Sequence, residues 1–130
     1  MQNARLRIAK PTERLNEVVR FYQDGLAMVV LSRLEDHDEF DGVMLGHLNA
    51  EWHLEFTRQH EHAAGCAPTQ DYLLVFYLPD RTRWEHGIQR MRDLGRVPVP
   101  SCNPFWDCVG TTFEDPDGYR VVLQNASWTK

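Results

Sequence analysis

Charged and apolar residues alternate through Arg5-Leu6-Arg7-Ile8, the period of two expected for a strand with one buried face. Pro11 closes that segment. Leu15, Val18, Val19, Tyr22 and Leu26 then recur at helical spacing, and Gly25 stands where a left-handed cap would end the helix. Met28-Val29-Val30-Leu31, Val43-Met44-Leu45 and His53-Leu54-Glu55-Phe56-Thr57 are strand-like runs. The acidic stretch Glu35-Asp36-His37-Asp38-Glu39 is a solvated turn between the first two. To about residue 58 the predicted order is β-α-β-β-β.

Residues 59–70, with Gly65 and Pro68, have linker composition. Tyr72 to Leu78 is apolar throughout and predicts a strand covered on both faces. Pro79-Asp80 breaks it, and Thr82 with Glu85 has capping-box spacing for a second helix. Its stripe is Trp84, Ile88, Met91 and Leu94, ended by Gly95. Val97-Pro98-Val99 suits a sheet edge, and Thr111–Glu114 and Tyr119–Gln124 flank the turn Asp115-Pro116-Asp117-Gly118. The halves repeat. Leu6-Arg7-Ile8 falls on Phe76-Tyr77-Leu78 and Gly25 on Gly95, 70 residues apart, and His53–Phe56 falls on Arg120–Leu123, 67 apart. The expected fold is α+β, with two tandem βαβββ modules, about 3–58 and 71–126, in a single domain spanning 1–130.

Composition narrows the function. With 130 residues, 42% hydrophobic, the chain can bury a core without disulfides or a structural metal. A net charge of −5 argues against nucleic acid as partner. No apolar run reaches the roughly 18 residues of a membrane span, and Met1–Arg5 lacks a signal-peptide stretch, so a cytoplasmic protein is expected. Cys66, Cys102 and Cys108 have no zinc-like spacing and are expected to be reduced thiols.

Two segments carry a family resemblance. Phe21-Tyr22 followed by Asp24-Gly25-Leu26, and Phe113-Glu114-Asp115-Pro116-Asp117-Gly118-Tyr119, resemble the signatures of the vicinal oxygen chelate superfamily. That superfamily includes glyoxalase I, bleomycin-resistance proteins and extradiol dioxygenases. The resemblance covers about residues 3–125. It implies curved mixed sheets around a cleft, helices outside, and a homodimer. Strand alternation then turns Leu6, Ile8, Leu54, Phe56, Val121 and Leu123 toward the helices. The cleft face would carry Asn3, Arg5, Arg7, His53, Glu55, Thr57, Leu73, Val75, Tyr77, Arg120, Val122 and Gln124.

Superfamily enzymes hold one divalent ion on the first and last strand of each module. The resemblance puts those positions at Asn3, Glu55, Leu73 and Val122, of which only Glu55 is a typical ligand. No metal cofactor is therefore favoured. The alternative is a divalent-metal-dependent glyoxalase-like lyase, isomerase or dioxygenase with Glu55 as its catalytic residue. His53 and Glu55, two apart on one strand face, and His60 with His62 are a weaker rival metal set.

Without a metal, Arg5, Arg7 and Arg120 would suit an anionic ligand, or would simply pair with Glu55 and Glu114. Tyr77, Phe105, Trp106 and Trp52 offer aromatic surface. The expected ligand-binding set is Arg5, Arg7, His53, Glu55, Thr57, Tyr77, Phe105, Trp106, Arg120 and Gln124. The favoured function is binding of a small anionic or aromatic molecule. A non-catalytic interaction module that kept only the fold is the further alternative.

Overall fold

The computed structural model describes residues 1–128, and the chain divides into two compact units, Met1–Gly65 and Cys66–Lys130. The first runs β1 (Leu6–Pro11), α1 (Leu15–Arg20), a π-helical turn (Phe21–Gly25), β2 (Val29–His37), β3 (Phe40–Gly46) and β4 (Trp52–Gln59). Its sheet order is β1-β4-β3-β2, with β1 parallel to β4 and the other pairs antiparallel. The second runs β5 (Leu73–Tyr77), α2 (Arg81–Asp93), a short α3 (Phe105–Cys108), β6 (Gly110–Glu114) and β7 (Arg120–Gln124). Its order is β5-β7-β6, with β5 parallel to β7. The fold is α+β with two mixed sheets.

In the first unit, α1 covers one sheet face because Val18, Val19, Phe21 and Tyr22 are all buried. The Tyr22 ring lies 4.9 Å from Phe56, and Val43 and Leu45 pair with Phe56 and Leu54 on the same face. The helix does not end at a left-handed Gly25. The Leu26 N–H instead reaches back five residues to the Phe21 carbonyl at 3.2 Å, and Ala27 takes the positive φ of 59°. Phe21 and Tyr22 continue the buried stripe that Val18 and Val19 begin, and the wider turn follows them. Leu6 stays exposed on the edge strand.

In the second unit, Asp80 rather than Thr82 caps α2, its side chain accepting from the Arg83 N–H at 3.0 Å. Trp84 donates Nε1–H to the Leu123 carbonyl at 2.8 Å and Met91 is fully buried, whereas Leu94 lies past the last turn and is exposed. The expected strand at Val97–Val99 reduces to one bridge, Val99 with Thr112, because Pro98 and Pro100 on either side have no N–H to donate. This sheet accordingly has three strands and not four. β5 is its edge and is half-buried along its whole length, not covered on both faces.

The ladders reset the repeat. His53 and Arg120 are equivalent at 67 residues, and their parallel partners are Arg7 and Leu73, 66 apart. The helix starts, Leu15 and Arg81, share that offset of 66. The offset of 70 holds only at the helix ends, since the second helix is longer. The first-strand equivalent of Leu73 is thus Arg7 and not Asn3, which lies outside β1.

Candidate functional site

On β4, side chains two apart share a face. Leu54 and Phe56 point into the α1-covered core, so His53, Glu55 and Thr57 stand on the opposite face and are half-buried. Arg7 is paired with His53 across the parallel β1–β4 ladder and joins them there. Its Nε–H donates to His53 Nε2 at 2.8 Å, and its Nη1 lies 3.6 Å from Glu55 Oε2. His53 Nε2 must therefore be the unprotonated nitrogen, which fixes the Nδ1–H tautomer. The Glu55 side chain is only 13% exposed against 49% for Arg7. Among the described residues the second Glu55 oxygen and Arg7 Nη2 have no partner. The face thus offers a guanidinium donor beside a carboxylate acceptor.

Arg5 precedes β1 and is exposed. Arg120 is 6% exposed, its Nε 3.2 Å from Glu114 Oε2 and its Nη1 donating to the Pro100 carbonyl at 2.8 Å. Its charge is neutralised inside the second unit, by the Glu114 pairing that the sequence left open. The same sheet face carries Thr112, held at 2.6 Å by Ser101, and Gln124, buried with its Oε1 lacking any partner among the described residues. Val122 is fully buried there. The segment through Pro100 and Ser101 bonds to Arg120 and Thr112 on this face, where Arg120 and Gln124 are both buried.

Of the aromatics, Tyr77 packs 6.1 Å from Trp128, and exposed Phe105 stands edge-on to Trp106 at 5.0 Å. Trp106 lines a cavity of about 250 Å³ with Gln70, Asp71, Leu73, Ser101, Cys102 and Asn103. A larger cavity, about 470 Å³, lies in the first unit on the α1 side, lined by Arg33, Asp41, Arg58 and His60 among others. His60 is not a free loop histidine. Its Nε2 is 3.1 Å from Asp41 Oδ2, and its Nδ1 is 3.6 Å from Asp36 Oδ1. The Asp36 N–H donates to Asp41 Oδ1 at 2.9 Å. That bond, and then His60, hold the Asp41 carboxyl below its ordinary 3.8. The sequence offered His60 with His62 and not with Asp36 and Asp41, because two register shifts in the β2–β3 hairpin decide which side chains meet.

The donors do not fit a divalent ion. Leu73 and Val122 have no lone pair, and the first-strand position is a guanidinium. Among the described residues no three His, Cys, Asp or Glu side chains are grouped to hold a metal. No helix there is long and apolar enough to cross a membrane.

Comparison with known proteins fits this architecture. Residues 6–57 match the model of the YycE-like N-terminal domain, and residues 71–125 that of the YycE-like C-terminal domain. YycE of Bacillus subtilis (strain 168) is 40% identical over 125 residues, 96% of this chain and 90% of that protein. The crystal structure of Bacillus subtilis YycE superposes with a TM-score of 0.91 at 38% identity, covering 100% of this chain and 95% of the other. The trypanothione-dependent glyoxalase I of Leishmania major gives 0.70 at 20% identity, covering 92% and 84%. The fosfomycin resistance protein FosX of Mesorhizobium loti gives 0.67 at 13%, covering 94% and 90%. These last two share the vicinal oxygen chelate fold with this chain.

Proposed function

The chain belongs to the YycE-like family, within the vicinal oxygen chelate fold, and from that premise we propose that it is a metal-independent small-molecule-binding protein. The ligand is a small acid, aromatic in its apolar part, that also carries a hydroxyl or amine. One observation carries this reading: Arg7 and Glu55 sit side by side on a half-buried sheet face, each with an unused hydrogen-bonding edge. A carboxylate on the ligand takes the guanidinium edge, and its hydroxyl donates to the free Glu55 oxygen. A bare anion gains less, because Glu55 already neutralises Arg7. The working form is a homodimer, to be checked by light scattering on the eluted protein.

Calorimetric titration in the presence of EDTA tests the reading with mandelate and phenylacetate, which differ by one hydroxyl. Mandelate is expected to bind about tenfold tighter, the worth of one charge-assisted hydrogen bond. Glu55→Ala should erase that difference. Absence of binding by both acids, or binding only after a divalent metal is added, would sink the reading. The metal-dependent lyase or dioxygenase alternative would then return, with Glu55 as its catalytic carboxylate.

A further inference from the structure

His53 and Glu55 are a donor pair with strand spacing suited to chelation. They stand two apart on β4 and share a face, as strand ligands converging on one ion do. Both are engaged by one cation. The His53 Nε2 lone pair that a metal would need already accepts from Arg7 Nε, 2.8 Å away, and Glu55 Oε2 faces Arg7 Nη1 at 3.6 Å. We propose that Arg7 is a resident cation that occupies the His53–Glu55 pair and keeps divalent metal off this face.

The chemistry of arginine suits this role. Its guanidinium does not lose its proton in a protein, so it cannot vacate the pair the way a lysine can by deprotonating. Its planar fork spans two acceptors at once, one on each side. An approaching divalent ion meets a fixed positive charge and must compete for both donors.

The neighbouring strands show why position 7 decides the outcome. β4 lies between β1 and β3. On β3 the partners of His53 and Glu55 are Gly46 and Met44, and on β1 they are Arg7 and Ala9. Neither β3 residue offers nitrogen or oxygen from its side chain. Among these direct ladder partners, positions 7 and 9 are therefore the ones where a substitution can add a third ligand. The second unit has the same triangle in Leu73, Arg120 and Val122, where the donors themselves are missing. One module thus blocks its donors with a cation, and the other has none to block.

This inference rests on the same three side chains as the binding reading, but metal uptake alone tests it, so either can fail without the other. The experiment is equilibrium dialysis of Ni²⁺ and Zn²⁺ against wild type, Arg7→His, Ala9→His and the double variant Arg7→Met/Ala9→His. Circular dichroism confirms that each is folded. Wild type and Ala9→His, which keep the guanidinium, should take up no Glu55-dependent equivalent. Arg7→His should take up one equivalent per chain. Adding Glu55→Gln to it should weaken uptake by at least about 10- to 100-fold, the cost of losing even an outer partner. The double variant supplies the same result if Arg7→His does not fold.

Heteronuclear NMR of wild-type His53 gives a readout without metal, and should show Nδ1 protonated and Nε2 bare. Glu55-dependent uptake by wild type or by Ala9→His would overturn the inference. So would a folded Arg7→His and a folded double variant that both fail to bind, or a proton found on Nε2.

Discussion

Arg7 on β1 donates its Nε–H to His53 Nε2 on β4 at 2.8 Å, so the exposed edge strand presents its cation already oriented. The Arg7–Glu55 contact beside it is 3.6 Å long, and a lysine would keep a positive charge beside the mostly buried Glu55 carboxylate. Function and folding therefore separate at this residue. Arg7→Lys should leave the urea unfolding free energy within about 1 kcal/mol of wild type. Its single ammonium cannot span His53, Glu55 and a ligand carboxylate together, so mandelate affinity should fall about tenfold or more. Equal affinity in the two proteins would show that the guanidinium fork is not what the ligand meets.

A second relationship predicts a pH dependence. The Asp36 N–H and His60 both favour the ionised form of Asp41, whose carboxyl titrates below its ordinary 3.8. A depressed carboxyl contributes stability that is fully present above 3.8 and is lost as pH falls through the lower folded value. The contact closes the β2–β3 hairpin, where Asp36, Asp38 and Glu39 all hold positive φ. Asp41→Asn removes the titrating group while keeping an acceptor for the Asp36 N–H. Wild type should be the more stable at pH 7, and the two urea midpoints should converge as pH drops below 3.8. A gap that stays constant to pH 2.5 would mean that Asp41 acts by shape and not by charge.

The sequence was most informative where side-chain chemistry dictates backbone geometry. The Asp115–Gly118 turn fixed the last strand, and the 67-residue correspondence of β4 with β7 followed from it. The helix ends misled, because Gly25 and Gly95 look alike but only Gly95 has positive φ. A π-helical turn has no residue signature, and the second helix is longer, so the glycine offset misplaced the first strand. That error put Asn3 where Arg7 belongs. Arg120 could not be resolved without coordinates either. Glu114 was visible as a partner, but the Pro100 carbonyl that takes its second N–H belongs to a segment whose path no local pattern sets.

The turn makes its own prediction. Asp115 is 4% exposed, and its Oδ1 accepts from the Asp117 N–H at 2.9 Å and the Tyr119 N–H at 3.0 Å. Both donors are oriented by the backbone that Gly118, at φ 87°, allows. Asp115→Ala leaves them without that acceptor in a closed turn, which should cost about 1.5–3 kcal/mol. Asp115→Asn keeps an acceptor oxygen and should lose less. Urea unfolding of the three proteins ranks them, and an Asn variant no better than Ala would point to the charge and not the hydrogen bonds.

Glycine substitutions in the second unit should move stability in opposite directions. At Gly110 an added Cβ would collide with the Trp106 carbonyl oxygen and Gln124 Oε1, and would press Val122 Cγ1 at 3.1 Å. The carbonyl is backbone, and Gln124 is buried and tightly enclosed, so neither can swing aside. Gly110→Ala should therefore destabilise by about 1–3 kcal/mol. At Gly87, inside α2, the new Cβ would meet only Leu123 Cδ1 at 3.5 Å, an ordinary van der Waals contact. Removing a helical glycine there should stabilise by about 0.5–1 kcal/mol. Urea denaturation of the pair provides an internal control, since both changes add the same methyl group. If Gly110→Ala proved as stable as wild type, the Trp106 carbonyl and the Gln124 side chain would have to be able to move aside.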